Sequence, residues 1–161
     1  MSLHPGTRLP PVLVGLAASL VQGCQTLPAA PAGTTSTERS RAIVLSFYAE
    51  ALTARHPRAA FERFAAKDFV DHKPEMPVGS RDAAADYLEG LIKRFPDPQW
   101  QVIRTVAEGN MVVLHVRFKP GPDAAPYAIV DIFRVENDQL VEHWDIVAEP
   151  PQVQRNPNSR F

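Results

Sequence analysis

The stretch VDIFRVENDQLVEHWDIV, residues 130–147, contains two runs of alternating apolar and polar residues around a polar turn. This pattern is typical of a β-hairpin that buries one of its faces. Three ionisable residues, Asp131, His143 and Asp145, lie inside the runs, where a purely structural hairpin would carry Val or Ile. The buried face of the hairpin therefore carries ionisable groups that the fold alone does not require.

Two registers of this hairpin are compatible with the pattern. A three-residue loop of residues 136–138 with a bulge pairs Asp131 with His143, whereas a two-residue loop pairs Asp131 with Trp144. We favour the first register because it pairs ionisable residues with each other. It places Asp131, His143 and Asp145 on the face that helices must cover, and Trp144 on the outer face.

The remaining sequence indicates an α+β domain, because helical patterns precede strand patterns. Thr35 and Glu38 have the spacing of a capping box, and Pro57 and Ser80 stand where two further helices would begin. Residues 67–80 contain two prolines and a glycine and are predicted to be an irregular link. The strands are expected to form a strongly curved antiparallel meander that holds the helices in its hollow. The predicted helices cover residues 37–55, 57–66 and 81–95, and the predicted strands cover residues 99–108, 111–119, 125–135 and 139–149.

Composition limits the class of protein. The chain has 161 residues and a formal net charge of −1, so it is long enough for one domain, and its near-neutral charge gives no indication of a basic surface for nucleic acid or an anionic membrane. Its one cysteine, Cys24, cannot form an internal disulfide. We therefore expect no nucleic-acid partner, and contact with a membrane only through a lipid anchor.

The N-terminus indicates export. Residues 1–24 combine a basic residue, an apolar stretch too short to span a bilayer, and LVQGC, which resembles a bacterial lipobox ending at Cys24. We predict a signal peptide over residues 1–24, a flexible tether over 25–36, a domain over 37–161, and a lipoprotein of the bacterial cell envelope that faces the periplasm. The alternatives are a signal cleaved elsewhere, which gives a soluble periplasmic or secreted protein, or a wrongly assigned start.

The ionisable face of the hairpin has two interpretations. A carboxylate withdrawn from water can accept a proton near neutral pH, and a nearby imidazole can steer that proton, which favours a ligand pocket with acid/base chemistry. The alternative is a buried and satisfied His–Asp pair that fixes the strand register. His115 lies within a strand and His72 within the link, and both are further candidates for the pocket. No metal-binding spacing and no nucleotide-binding motif is present, so we predict neither a metal nor a cofactor.

Four segments carry a resemblance to a known family. FVDHKP (69–74), VAEGNMVVLHVRF (106–118), the hairpin 130–147 and NPNSRF (156–161) resemble the SnoaL-like proteins of the NTF2-like superfamily, in the branch predicted to catalyse aldol condensations. The likeness extends over about residues 40–161. It implies a cone in which a curved sheet wraps around helices and encloses a pocket, with a homodimer formed through the outer face of the sheet.

The resemblance also implies roles for individual residues. In characterised polyketide cyclases of the wider family, an aspartate of the last strand is the acid/base, and Asp145 matches it, with Asp131 at the pocket position of the partner strand. His72 and His115 match histidines of the family segments HNP and VHVR. Lys73 departs from the pattern because it stands where the family has asparagine.

These observations lead to two functional hypotheses. The first is a cofactor-independent enzyme of the aldol-condensation or cyclase type, acting on a small apolar or carbonyl-bearing ligand. Asp145 would be its general base, His143 would steer the base, and Asp131 and His115 would polarise the carbonyl or hold the ligand. The second is an envelope-anchored NTF2-like module that binds a small ligand or a protein without catalysis. The residues expected to bind the ligand are His72, His115, Phe133 and Tyr48.

Overall fold

The structure is a computed structural model that describes residues 35–95 and 97–161. The predicted signal peptide, Cys24 and nearly all of the tether lie outside the described residues, so the predicted lipidation and location stay predictions. No helix within these residues is long and apolar enough to cross a membrane. The elements are the helices α1 (Ser36–Tyr48), α2 (Pro57–Phe64) and α3 (Arg81–Arg94) and the strands β1 (Ala65–Asp71), β2 (Gln99–Glu108), β3 (Met111–Lys119), β4 (Tyr127–Glu136) and β5 (Gln139–Ala148).

The helices begin where the sequence predicts. Thr35 and Glu38 form the expected capping box at α1, Pro57 is in the first turn of α2, and the Ser80 side chain caps α3. The first helical segment differs in its second half, which continues past α1 as a π-helical turn over Ala49–Thr53.

Five strands form one mixed sheet in the order β1-β5-β4-β3-β2. Strands β2 to β5 are the predicted antiparallel meander. The prediction of an irregular link over residues 67–80 is wrong for its first part, because β1 pairs in parallel with β5, with Asp71 beside His143. The partner strand is distant in sequence, so no local turn signal reveals this pairing.

The last hairpin has a register that neither alternative predicted. Its turn consists of Asn137 and Asp138, both in the left-handed region with φ of 49° and 61°, and the pairing then shifts by one residue at a bulge. Asp131 consequently lies opposite Asp145. This pairing differs from the favoured register by two residues, and an even shift keeps a side chain on the same face. Asp131, His143 and Asp145 therefore share one face, as predicted.

The helices cover that face of the sheet. Phe47 of α1 contacts Phe61 of α2 edge to face at a centroid distance of 4.9 Å, and it contacts Phe133 of β4 at 5.8 Å. Strand β3 contributes Val112, Leu114 and Val116, all with 0% exposure. The core thus fills one part of the hollow with large side chains, and the unfilled part is the cavity described next.

Candidate functional site

A cavity of about 300 Å³ lies between the helices and the inner face of the sheet. Its walls are mostly aromatic and aliphatic, and its ionisable groups come chiefly from β1, β4, β5 and the segment that follows β1. Such a cavity suits a small, largely apolar ligand that a few polar groups orient. The wall-forming aromatic residues are Phe47, Tyr48, Phe61, Phe69, Tyr87, Phe95, Trp100, Phe118, Tyr127 and Phe133.

A chain of hydrogen bonds joins four side chains at the cavity. His143 Nδ1 lies 3.1 Å from Asp71 Oδ2, and His143 Nε2 lies 3.2 Å from Asp131 Oδ1. The Tyr48 hydroxyl donates to the other oxygen of Asp131 at 2.8 Å. The backbone amide of Lys73 donates to Asp71 Oδ1 at 3.0 Å. Both oxygens of each carboxylate and both ring nitrogens of the imidazole are therefore engaged.

The two aspartates determine the charge of the imidazole between them. Burial by itself lowers the pKa of His143, but hydrogen bonds to Asp131 and Asp71 and the charges of these carboxylates raise it more, to about 9. His143 is consequently an imidazolium at neutral pH and donates from both nitrogens. Burial, followed by the charge of Asp131 and the hydrogen bond to it, raises the pKa of Tyr48 well above its usual 10, so this phenol stays protonated.

Asp145 belongs to a separate ion pair. Its Oδ2 lies 2.5 Å from Lys73 Nζ, and the two side chains are only 9% and 11% exposed. Burial lowers the pKa of Lys73, but the hydrogen bond to Asp145 and the charge of that carboxylate raise it above its usual value. Asp145 Oδ1 accepts no hydrogen bond from the described residues, and it is not among their buried unsatisfied atoms. One carboxylate oxygen at the cavity is therefore free for a ligand.

The two ion pairs explain how Asp131 and Asp145 can be direct cross-strand neighbours. Like charges in opposite positions of a sheet destabilise it. Here the imidazolium and the Tyr48 hydroxyl compensate one carboxylate, and the Lys73 ammonium compensates the other. No group of three or more His, Cys, Asp or Glu side chains within residues 35–95 and 97–161 is arranged to hold a metal ion.

A family model agrees with this architecture. The SnoaL-like domain matches residues 44–143, which is more than half of the chain. The chain belongs to the SnoaL-like domain family. No curated protein sequence matches it significantly.

Solved structures with the same fold include other SnoaL-like proteins. A candidate SnoaL-like polyketide cyclase from Jannaschia sp. CCS1 is 18% identical, with a TM-score of 0.60 over 76% of this chain and 91% of that one. A candidate polyketide cyclase from Bacillus cereus is 17% identical, with a TM-score of 0.59 over 68% and 74% of the two chains. An NTF2-like protein of unknown function from Mesorhizobium loti is 21% identical, with a TM-score of 0.57 over 74% and 98%. The predicted NTF2-like cone is confirmed.

The structure of this SnoaL-like domain brings five predicted site residues to the cavity. Asp131 and His143 are joined by a hydrogen bond, Tyr48 donates to the former, and Phe133 stacks on the latter at a centroid distance of 4.6 Å. Asp145 also lines the cavity but pairs with a lysine, so the prediction that His143 steers it has no supporting contact in the described part of the chain.

The placement of His72 in the pocket is wrong. Asp71 points inward from the end of β1, and the next side chain therefore points to the opposite face. His72 stacks on Trp144 at a centroid distance of 4.8 Å, and its Nε2 lies 2.8 Å from Glu142 Oε1. Trp144, which lies on the outer face as predicted, is thus covered at least in part by His72. The predicted homodimer stays a prediction.

The placement of His115 in the pocket is wrong for the same geometric reason. Strand β3 buries Leu114 and Val116, so the residue between them faces outward. His115 Nδ1 lies 2.8 Å from an Arg104 guanidinium nitrogen on the outer face of the sheet. It cannot polarise a carbonyl in the cavity. The resemblance to SnoaL-like proteins identified the segment, but the alternation along β3 decides the face.

Two cavity residues of this SnoaL-like domain, Asp71 and Lys73, were not predicted as site residues. Asp71 is the last residue of β1 and Lys73 lies two positions after it, and the sequence pattern does not reveal β1 as a strand. One signal was available, because Phe69 and Asp71 are two positions apart and share a face in any extended segment. Lys73, which stands where the family has asparagine, is the partner of Asp145.

Gly79 fixes the backbone at the cavity rim, and its replacement by Ala should destabilise the protein by roughly 1–3 kcal/mol, the usual cost of overpacking. A Cβ at this position would lie 2.1 Å from the Asp71 carbonyl oxygen, a backbone atom. Urea unfolding measures the change. The matched control is Gly90→Ala in α3, where nothing lies within 4 Å and roughly 0.5–1 kcal/mol of stabilisation is expected. Equal stabilities of the Gly79→Ala variant and the wild type would contradict the close approach.

Proposed function

We propose that this SnoaL-like protein is a cofactor-independent acid/base enzyme that acts on a small carbonyl compound. The observation that carries the proposal is the Asp145 carboxylate, which has one oxygen free in a mostly apolar cavity and the other held by Lys73. A carboxylate excluded from water and fixed by one partner meets the geometric requirement for a general base. The names of several structural neighbours, which are candidate polyketide cyclases, support the same reaction class.

The proposed reaction begins with removal of a proton from a carbon next to a carbonyl group. Asp145 Oδ1 accepts that proton, and the electrons of the broken C–H bond form an enolate. The enolate carbon then attacks a second carbonyl carbon, which forms a C–C bond and an alkoxide. The proton held by Asp145 is transferred to that alkoxide, so the enzyme returns to its initial state with no external reactant.

Lys73 replaces His115 as the group that would stabilise the enolate oxygen. Its ammonium is adjacent to the proposed base and lines the cavity, and the protein around it excludes most water. A fixed positive charge at the position where negative charge develops lowers the barrier most in such an environment. The ammonium would keep its hydrogen bond to Asp145 and, with Glu75 Oε2 3.4 Å from Nζ, would use a further N–H to contact the enolate oxygen.

The hydrogen-bond chain of Asp71, His143, Asp131 and Tyr48 has a positioning role in this proposal. All acceptor oxygens of its carboxylates and both nitrogens of its imidazole already have partners. The chain therefore holds the floor of the cavity rigid and places a fixed imidazolium charge beneath the ligand. Asp131 and His143, predicted as catalytic, would contribute through this arrangement.

The second candidate function is a ligand-binding module without catalysis. The observation that favours it is the same complete pairing, because a network without a free group can serve only to shape and stabilise a pocket. In this case the Asp145–Lys73 pair would recognise a polar group of the ligand. The two functions differ in whether the protein moves protons.

Exchange of carbon-bound protons for deuterium distinguishes the two functions without knowledge of the natural substrate. A small cyclic 1,3-diketone has protons flanked by two carbonyls, and NMR in D₂O follows their loss. To separate catalysis from buffer exchange, the rate is measured over a series of protein concentrations at fixed pH. An enzyme gives a rate that rises with protein concentration and saturates with diketone. A diketone that raises the melting temperature while its exchange stays at the buffer rate supports the binding module.

A further inference from the structure

A cluster of basic side chains lies on the outer face of the sheet, opposite the cavity. His115, Arg117 and Lys119 occupy alternate positions of β3, and Arg104 of β2 is the cross-strand neighbour of His115. Neither arginine has a carboxylate within ion-pair distance in residues 35–95 and 97–161, although eight other arginines and lysines of this region do. The net charge of the chain is −1, so this cluster is a local excess of positive charge.

The contact between Arg104 and His115 fixes which ring nitrogen carries a proton. An Arg104 guanidinium nitrogen lies 2.8 Å from His115 Nδ1. A guanidinium group can only donate, so Nδ1 must accept, and the ring proton of the neutral imidazole is then on Nε2. His115 therefore presents a donor at its other nitrogen, and the remaining N–H groups of Arg104 are donors as well.

Arg117 provides the second and independent observation. Its Nε is buried and has no hydrogen-bond partner, the only such side-chain atom found in the described part of the chain. The Phe161 ring lies beside it, with its centroid 5.6 Å from the Arg117 guanidinium carbon and 5.9 Å from the His115 ring centroid. A buried N–H without an acceptor is unfavourable. The described residues supply no acceptor for this N–H, so an acceptor from another molecule would stabilise it.

We propose that Arg104, His115 and Arg117 form a binding site for a phosphate-type oxyanion. The one acceptor among the three side chains, His115 Nδ1, is already engaged by Arg104, and the guanidinium of Arg117 can bind two oxygens of one anion through a pair of its N–H groups. A tetrahedral anion has further oxygens for the donors of Arg104 and His115. The Phe161 ring covers one side of the cluster and reduces its contact with water. This site lies on the opposite face from the cavity and does not depend on the proposed function.

Titration of the full chain with inorganic phosphate tests the site. Phosphate replaces chloride at constant ionic strength, and NMR follows the side-chain Nε–H signal of Arg117 together with the backbone amides of β2 and β3. A saturable shift that is specific to these signals is expected. The variant Arg117→Gln should raise the Kd for phosphate by at least about tenfold, the size of one lost charge-assisted contact. Arg117→Lys keeps the charge but loses the fork, and it should also weaken binding.

The matched control is Arg63→Gln, because Arg63 is 70% exposed and pairs with Glu50 away from the cluster. This variant should bind phosphate as the wild type does. Circular dichroism and the melting temperature without phosphate establish that each variant is folded, and Arg104→Gln gives a second test if Arg117→Gln is not. Shifts that are linear and equal in wild type and variants would overturn the proposal.

A second arm identifies the source of the phosphate group. Vesicles of phosphatidylcholine are compared with vesicles that contain phosphatidylglycerol, again with wild type and Arg117→Gln. Arginine-dependent binding to the anionic vesicles supports the site and assigns the anion to a lipid headgroup, whereas arginine-dependent binding of free phosphate alone assigns it to a small soluble molecule. If the cluster variants change neither phosphate nor vesicle binding, the site does not exist.

Discussion

Replacing Asp145 by Asn should lower the protein-dependent rate of diketone proton exchange by roughly 10²–10⁴-fold, the usual contribution of a general base. The substitution keeps the size of the side chain and removes its basicity. The amide oxygen can still accept a hydrogen bond from Lys73, which supports the shape of the cavity rim. NMR exchange rates at saturating diketone, with the affinity measured separately, isolate the chemical step.

Asp68→Asn is the matched control for this substitution. Asp68 lies on β1, three residues before Asp71, but it is exposed and does not line the cavity. Its replacement should leave the exchange rate within about twofold of the wild type, as is usual for surface changes away from a site. Wild-type exchange by the Asp145→Asn variant would remove Asp145 from the role of base. Unchanged diketone affinity with exchange abolished would support that role.

Replacing His143 by Gln should destabilise the fold by roughly 3–5 kcal/mol near pH 7, the cost of breaking a buried ion pair. Asp71 and Asp131, which are 9% and 7% exposed, would then lack the positive charge between them. Urea unfolding monitored by tryptophan fluorescence measures the free energy of unfolding. His56→Gln is the control, because His56 is exposed and makes no side-chain cap hydrogen bond, and it should change stability by less than about 0.5 kcal/mol.

The pH dependence of the same comparison gives an independent test. The pKa of His143 is raised from 6.5 to about 9 in the folded protein, so protonation stabilises the fold. This contribution is fully present below about pH 6.5 and is lost as pH rises through about 9, and at 1.36 kcal/mol per pKa unit it amounts to about 3 kcal/mol. The stability difference between wild type and the His143→Gln variant should therefore shrink from pH 6 to pH 9.5. A difference that stays constant over this range would contradict an imidazolium between two carboxylates.

The sequence predicted the face of the hairpin but not its register. Side chains alternate with period two along each strand, so any even shift of the register leaves Asp131 and Asp145 on the same face. The predicted face is therefore correct although the predicted register is wrong by two residues. The register depends on the left-handed turn at Asn137 and Asp138 and on the bulge that follows, and each of these adds or removes one residue locally. The two features shift the pairing in the same direction, which gives the difference of two residues from the favoured register, and apolar periodicity shows neither of them.

Two of the six polar side chains of the site, Asp71 and Lys73, were missed because their positions depend on long-range pairing. Asp71 reaches His143 only because β1 joins the edge of the sheet in parallel, and the two residues are 72 positions apart. Lys73 then reaches Asp145 from the segment that leaves β1. The family resemblance indicated this segment but selected His72 instead of Asp71. Neighbouring residues of an extended chain point to opposite faces, so a difference of one position moves the side chain out of the cavity.

Chemical rescue of the Asp145→Ala variant by formate tests the central claim most directly. Truncation removes the proposed base and leaves space at the cavity for a small carboxylate, so formate should restore diketone proton exchange in proportion to its concentration. The predicted result is exchange near the buffer rate without formate and a formate-dependent, protein-dependent increase that the wild type does not show. Exchange at the wild-type rate by the Asp145→Ala variant in the absence of formate would contradict the claim that this carboxylate removes the proton.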